Sequence, residues 1–440
     1  MRFPTHLLLC GTVVVPAFCS PVRQNITPDS VAGFVTRAAS SSDFDVSGIR
    51  IRCGNRTTTS IVKAGIGLGT PGCPQNAPYV GESATIKGAF SKRDGSFSAS
   101  EIDISQESQS AGKVSGSALI SKVSPSPSAN PAKGGLLVRA DGYRILIPSK
   151  ATIVWGSPLH SFADVKADDW IDYKGERRAD GIVMAEELRL LPLAVGKGEE
   201  KYRAKRDFDP SKVPASAKQS AASMDFLGVN PKRFPPYHDP QMQARVNEIG
   251  SKLIPAWQKA LPDSDPAKVH FRFQLISTTK FRDALALSSG VILVPKQVVA
   301  RMQNDAQLAA VLADNIASVL ERQSYRHLPA ARRMTAGEYA TDAAAWLVPG
   351  LGLAAPALFY GTGKAMLTKA EDQRGRVALG LIYDAGYDID QAPMAWWLLA
   401  PKKPKSVSKI PLPHRAAYLY GILGECWNSP QAATARQRNH

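Results

Sequence analysis

Residues 84–104, ATIKGAFSKRDGSFSASEIDI, are answered later in the chain by residues 170–190, WIDYKGERRADGIVMAEELRL. Gly88 matches Gly175, Asp94-Gly95 matches Asp180-Gly181, Ala99 matches Ala185, and Glu101-Ile102 matches Glu187-Leu188. Both copies alternate apolar and polar residues over short runs, the period of a strand with one buried face. Each places an Asp-Gly pair where a tight hairpin needs positive φ. The echo extends upstream: Val31-Ala-Gly33 returns as Val114-Ser-Gly116, and VSGIRI around Gly48 as ADGYRI around Gly142. This pattern predicts two tandem small β-barrels, at residues 31–105 and 114–192.

The repeated Gly-rich unit ends in a pattern of Asp-Gly, an aromatic or aliphatic residue, Ala and Glu-Ile. It resembles the OB-like β modules that recur in bacterial exported proteins. OB barrels bind oligonucleotides or sugars through one sheet face, so the resemblance implies a binding module, or a spacer or docking module, by analogy of fold alone. Phe90, Phe97, Tyr143, Trp155, Trp170 and Tyr173 fall mostly at alternating positions and read as core. The loops GIGLGTPGC (65–73) and SPSPSANPAKGG (124–135) do not open a helix after a strand, which excludes a phosphate cradle.

At 440 residues the chain is long enough for more than one core. Residues 1–19 carry an early Arg2, an apolar run from Leu7 to Phe18 and Ala17-Phe18-Cys19, the marks of a cleaved signal peptide; the run is short for a membrane span. Export is therefore expected, to a periplasmic or extracellular location. Of five cysteines, Cys10 and Cys19 belong to the signal, and an oxidising compartment makes a Cys53–Cys73 disulfide the expected state of a pair within one small domain. The net charge of +16 implies affinity for anionic surfaces or acidic partners. For an exported chain, nucleic acid is not an expected partner. Residues 195–235 are charged, Pro-spotted and poor in apolar side chains, and read as a linker. Beyond them, residues 236–430 mix helical periodicity with the strand-like VHFRFQLI and GVILVP, giving an α+β multidomain protein whose last part is mainly helical with a small sheet.

Within that last part, residues 311–323, VLADNIASVLERQ, form one apolar helical stripe from Leu308, Val311, Leu312, Ile316, Val319 and Leu320. Asn315 lies inside the stripe, with Asp314 and Ser318 along its edge. Together with residues 281–310 before it and 368–396 after it, this stretch resembles the HtpX-like and prenyl-protease-like zinc metallopeptidases, a gluzincin family, over residues 240–425. The resemblance implies that Asp283-Ala284, Ala286 and Gly290 lead into an edge strand, Gly290, Val291, Ile292, Leu293 and Val294, along which an extended peptide adds by main-chain pairing. It puts the His-Glu-x-x-His signature at Asp314, Asn315, Ile316, Ala317 and Ser318, the third ligand at Glu371, a family acidic position at Gly375, and later elements at Ile410-Pro411 and Arg415.

In active relatives two histidines four apart and a glutamate from a second helix hold zinc, and the glutamate between the histidines takes a proton from the bound water. Here Asp314, Asn315 and Ser318 replace both histidines and the base, and the seven histidines of the chain include no pair at helical spacing. No cofactor is expected and no catalytic residue is assigned. The reading is a pseudopeptidase that binds unfolded or extended peptide or an envelope protein. Two alternatives stand beside it: a metal-dependent endopeptidase using Asp314, Ser318 and Glu371 as oxygen ligands, and a binding protein acting through its barrels. Residues 361–364, GTGK, lack the earlier glycine of a phosphate loop, and the uncharged run 343–360 offers membrane-surface contact.

Overall fold

The structure is a computed structural model that describes residues 30–63, 66–105, 112–125, 135–213, 224–225, 228–229, 234–277, 282–327, 362–400 and 412–437. The segments read as a signal peptide and as a membrane-surface run, and Ile410-Pro411, lie outside the described residues.

The first repeat comprises β1 (Ser30–Ala38), β2 (Asp43–Val46), β3 (Ile49–Arg52), β4 (Thr58–Lys63), β5 (Ile66–Pro71), β6 (Ser83–Phe90) and β7 (Ser96–Ser105). Five of these close a ring in the order β3-β2-β1-β6-β7, sealed by parallel pairing of β3 with β7; the β4–β5 hairpin hangs on the far side of β7. The second comprises β8 (Gly112–Pro125), β9 (Leu136–Ala140), β10 (Tyr143–Ile147), β11 (Thr152–Trp155), β12 (Trp170–Arg177) and β13 (Ile182–Leu191). It closes in the same way, β10-β9-β8-β12-β13 with a parallel β10–β13 seam. The fold is thus mixed α+β with closed five-stranded barrels, and their inward alternate residues, such as Ile86, Ile102 and Phe97 or Ile145, Ile171 and Leu190, are fully buried.

The sequence echo has a structural cause. Antiparallel register slips by one residue at Lys87/Gly88 in one barrel and at Lys174/Gly175 in the other, the same bulge in the same place. A Cβ on Gly88 would stand 2.0 Å from the carbonyl oxygen of Ser98, and one on Gly175 2.1 Å from that of Met184, so only glycine fits. The flanking ion pairs repeat too, Lys87–Glu101 at 3.0 Å and Lys174–Glu187 at 2.9 Å. Ser47-Gly48 and Asp141-Gly142 both have positive φ at two successive residues, the turn that a two-residue hairpin prefers. In the first barrel Cys53 and Cys73 are joined by a disulfide, with Cα atoms 5.6 Å apart.

The remaining elements are α1 (Lys197–Ala204), β14 (Met224–Asp225), β15 (Gly228–Val229), α2 (Pro240–Leu253), α3 (Ala256–Ala260), β16 (Arg272–Ile276), β17 (Leu285–Ala286), β18 (Val291–Pro295), α4 (Lys296–Arg301), α5 (Asp305–Leu320), α6 (Gln323–Arg326), α7 (Thr362–Asp384), α8 (Ala392–Leu399), α9 (His414–Leu423) and α10 (Pro430–Gln437). Asp239 caps α2 and Asn304 caps α5, each accepting from a backbone N–H of the first turn. Helix α5 is buried from Gln307 to Leu320 and packs on α2, α7 and α8. No helix among the described residues is long and apolar enough to cross a membrane.

Two expectations need correction. The strand 290–294 is not an edge: β18 lies in the middle of the sheet β16-β18-β17, paired with β16 along its whole length and with β17 at Leu293 and Ile292. All five residues of β18 are buried, so an incoming peptide has no free ladder there. Nor is the segment 195–235 a plain linker. Its first part folds into α1, and Phe208 and Phe234 bury against the face of the sheet turned away from α5, together with Leu285, Val291 and Leu293.

Both barrels dock on the helices. At the tip of the β9–β10 hairpin, Arg376 of α7 donates to the Asp141 carbonyl at 2.9 Å and to its carboxylate at 2.5 Å, while the Tyr173 hydroxyl donates to the other carboxylate oxygen at 2.7 Å. The equivalent tip of the first barrel, Gly48, sits against the Trp397 ring, and Phe34 stacks on Tyr420 at 6.4 Å between centroids.

Candidate functional site

The residues of the expected signature, Asp314, Asn315 and Ser318, lie buried on α5, and Asp314 is surrounded by charge pairs. Asp314 projects from the middle of α5 and is 1% exposed. Its Oδ2 lies 2.9 Å from Nε of Arg374 on α7, and its Oδ1 2.6 Å from Nη2 of Arg415 on α9. Arg415 also donates from Nη1 to Asp283 at 2.9 Å, and its guanidinium lies 3.2 Å from the Trp396 ring centre. Asp283 is held in turn by the backbone N–H of Ala284 at 2.8 Å. The contacts to Asp314 are ion pairs by distance, without N–H groups aligned on the oxygens. Burial opposes the charge on Arg415, but Asp314 and Asp283 outweigh it and hold its pKa above the ordinary arginine value.

The other signature positions are equally committed. Asn315 donates from Nδ2 to the Val311 carbonyl one turn back at 2.9 Å, and its buried Oδ1 has no hydrogen-bond partner among the described residues. Ser318, one turn after Asp314, lines a small cavity with Arg322 and Tyr325. Glu371 is turned to Arg374, three residues along α7, at 3.5 Å. Gly375 faces Leu419, whose Cδ2 would lie 3.2 Å from an added Cβ.

These residues do not fit zinc. A divalent cation beside Asp314 would face two buried guanidinium groups, and in a low-dielectric interior that repulsion is large. Among the described residues no group of three or more His, Cys, Asp or Glu could hold a metal ion. The oxygen-ligand alternative of Asp314, Ser318 and Glu371 meets the same obstacle, because arginines occupy the first and last of the three. Sequence reasoning placed Asp283, Asp314, Glu371 and Arg415 but missed Arg374, the residue that joins Glu371 to Asp314. Its only signal was the spacing of three from Glu371, which puts both on one helical face.

Another buried carboxylate sits at the end of α5. Glu321, 1% exposed, accepts a hydrogen bond from the Leu119 N–H of β8 at 3.2 Å. Burial pushes its pKa up to about 8, with nearby Asp141 adding to the effect. No protein-family model matches the sequence, and no curated protein matches it.

Proposed function

We propose that the helical half is a gluzincin-type peptidase fold that has exchanged its metal for an internal salt-bridge cluster, and that the protein is an exported, non-catalytic binding and docking protein. The observation that carries this reading is the quartet Asp283, Asp314, Arg374 and Arg415, in which two guanidinium groups occupy the ground a metal would need. Two OB-like barrels seated on that scaffold supply the binding faces, and extended peptide or an envelope protein is the partner class. The ring order of the barrel strands supports the OB-like assignment. The disulfide supports an oxidising location.

Metal analysis of the purified protein, combined with a casein-type cleavage assay with and without chelator, tests the reading. We expect no stoichiometric zinc and no cleavage above background; chelator-sensitive cleavage overturns it. The triple change Asp314→His, Asn315→Glu and Ser318→His should still bind no zinc, because Arg374 and Arg415 remain. Adding Arg374→Ala and Arg415→Ala should allow it. Zinc uptake by the triple variant alone would show that the two arginines do not hold the site closed.

A further inference from the structure

A cleft of about 650 Å³ opens where the second barrel, α1 and the α5–α6 corner meet, and it is independent of the peptidase-like site. Lys201, Lys205, Arg206, Arg322 and Arg326 line it, and no carboxylate does. Glu199 is 1% exposed and already shared by Arg203 and Arg322, and the acids that act on Arg326, namely Glu321, Asp172 and Asp141, lie outside the lining. Lys201, Lys205 and Arg206 are therefore left without a matching anion in the lining.

Their arrangement is costly without a ligand. Lys201 in the last turn of α1 and Lys205 just past its end stand four apart, a like-charge spacing that disfavours a helix. A helix C-terminus tolerates such cations, but Arg206 and Arg326 lie off α1 and gain nothing from it. Arg206 is 8% exposed, its guanidinium lies 4.0 Å from the Tyr202 ring centre, and its Nε has no hydrogen-bond partner among the described residues. Arg326 is spread over the Trp170 ring at 4.5 Å, with one N–H on the Ser117 carbonyl at 3.2 Å. Burial lowers the pKa of Arg322 and of Arg326, the expected effect of cations gathered in a partly dry site.

We propose that this cleft binds a phosphorylated small molecule, the phosphate held by the lysines and the arginine forks and the apolar body resting on Trp170, Tyr325 and Leu191. The volume lies within the ordinary range for small-molecule sites. Planar guanidinium groups pair two-pronged with phosphate oxygens, which favours phosphate over a lone carboxylate. The phosphate could belong to a soluble compound or to an amphiphile's headgroup.

Calorimetric titration of the full-length protein with inorganic pyrophosphate at low salt tests the proposal. One-to-one binding should weaken at least tenfold in Lys201→Gln/Lys205→Gln, whose side chains are exposed and whose loss should not lower the thermal midpoint. The control Lys92→Gln/Arg93→Gln, which removes the same charge at the β6–β7 turn, should stay within twofold. Arg326→Lys, keeping the charge but losing the fork, should also weaken binding. Absence of saturable heat, or equal loss in the control pair, overturns the proposal. Sedimentation with phosphatidic acid vesicles separates the sources: binding that pyrophosphate displaces and that needs Lys201 and Lys205 assigns a headgroup, and no vesicle binding beside tight pyrophosphate binding assigns a soluble ligand. Vesicle binding indifferent to pyrophosphate and to both lysines, with no pyrophosphate heat, overturns it in favour of a general basic surface.

Discussion

Replacing Glu321 by Gln should make the protein more stable at high pH and leave it nearly unchanged near pH 5. The carboxyl is fully buried against β8 with one donor, the Leu119 N–H, and its pKa rises from 4.5 to about 8. Because the folded value lies above the unfolded one, the protonated acid contributes stability that is complete below about pH 4.5 and lost as pH climbs through about 8. Each tenfold change in ionisation is worth about 1.4 kcal/mol. Holding the acid to about 8 puts roughly 4 kcal/mol between pH 5 and pH 9. Gln keeps an acceptor for Leu119, resembles the protonated acid and does not titrate. Urea unfolding followed by tryptophan fluorescence at a series of pH values gives the difference between variant and natural protein. Glu82, raised to about 7 by its own burial, titrates in both and cancels. Parallel stability profiles for the two proteins would refute the buried, protonated state of Glu321.

Arg374→Met should cost about 3–5 kcal/mol by stranding a buried Asp314 with one partner, and Asp314→Leu added to it should return part of that loss in the same urea assay. Gly175→Ala places a Cβ 2.1 Å from a carbonyl oxygen and should destabilise the second barrel by at least about 2 kcal/mol. Gly54→Ala, with nothing within 4 Å, should change stability by under about 0.5 kcal/mol; thermal unfolding compares the two. Removing the disulfide as Cys53→Ala/Cys73→Ala, at a separation of 20 residues, should cost about 3 kcal/mol, read from the unfolding of the first barrel.

The barrels were legible because their special positions are local. Gly88 and Gly175 are dictated by one cross-strand carbonyl each, and Asp141-Gly142 by a two-residue turn, so the sequence repeats wherever the geometry does. The strand 291–295 was misplaced although its signal was present. VILVP is a continuous apolar run, the mark of a strand buried on both faces, and the peptide-adding edge came from resemblance instead. The segment after 195 misled for a different reason. Glu199 and Arg203 look solvated in sequence, yet Glu199 is buried because Arg322, far along the chain, reaches it. The cleft beside it was invisible for the same reason, since α1, β13 and α6 meet only in the fold. Arg374 illustrates the limit at the site: a side chain whose partner lies on another helix announces itself only by the company it keeps.

The buried residues of the first barrel form a core of their own, whereas those of the second run without a break into the helices. A duplicated pair has thus become one detachable cassette and one structural member. Exchanging the first barrel for another of similar outline requires keeping its seats on Trp397, Tyr420, Gly424 and Asn428. Exchanging the second would require rewriting α7 and α9 together with it. Sequence change is therefore least constrained in the first barrel, while the second is held to its present form by the helices it completes.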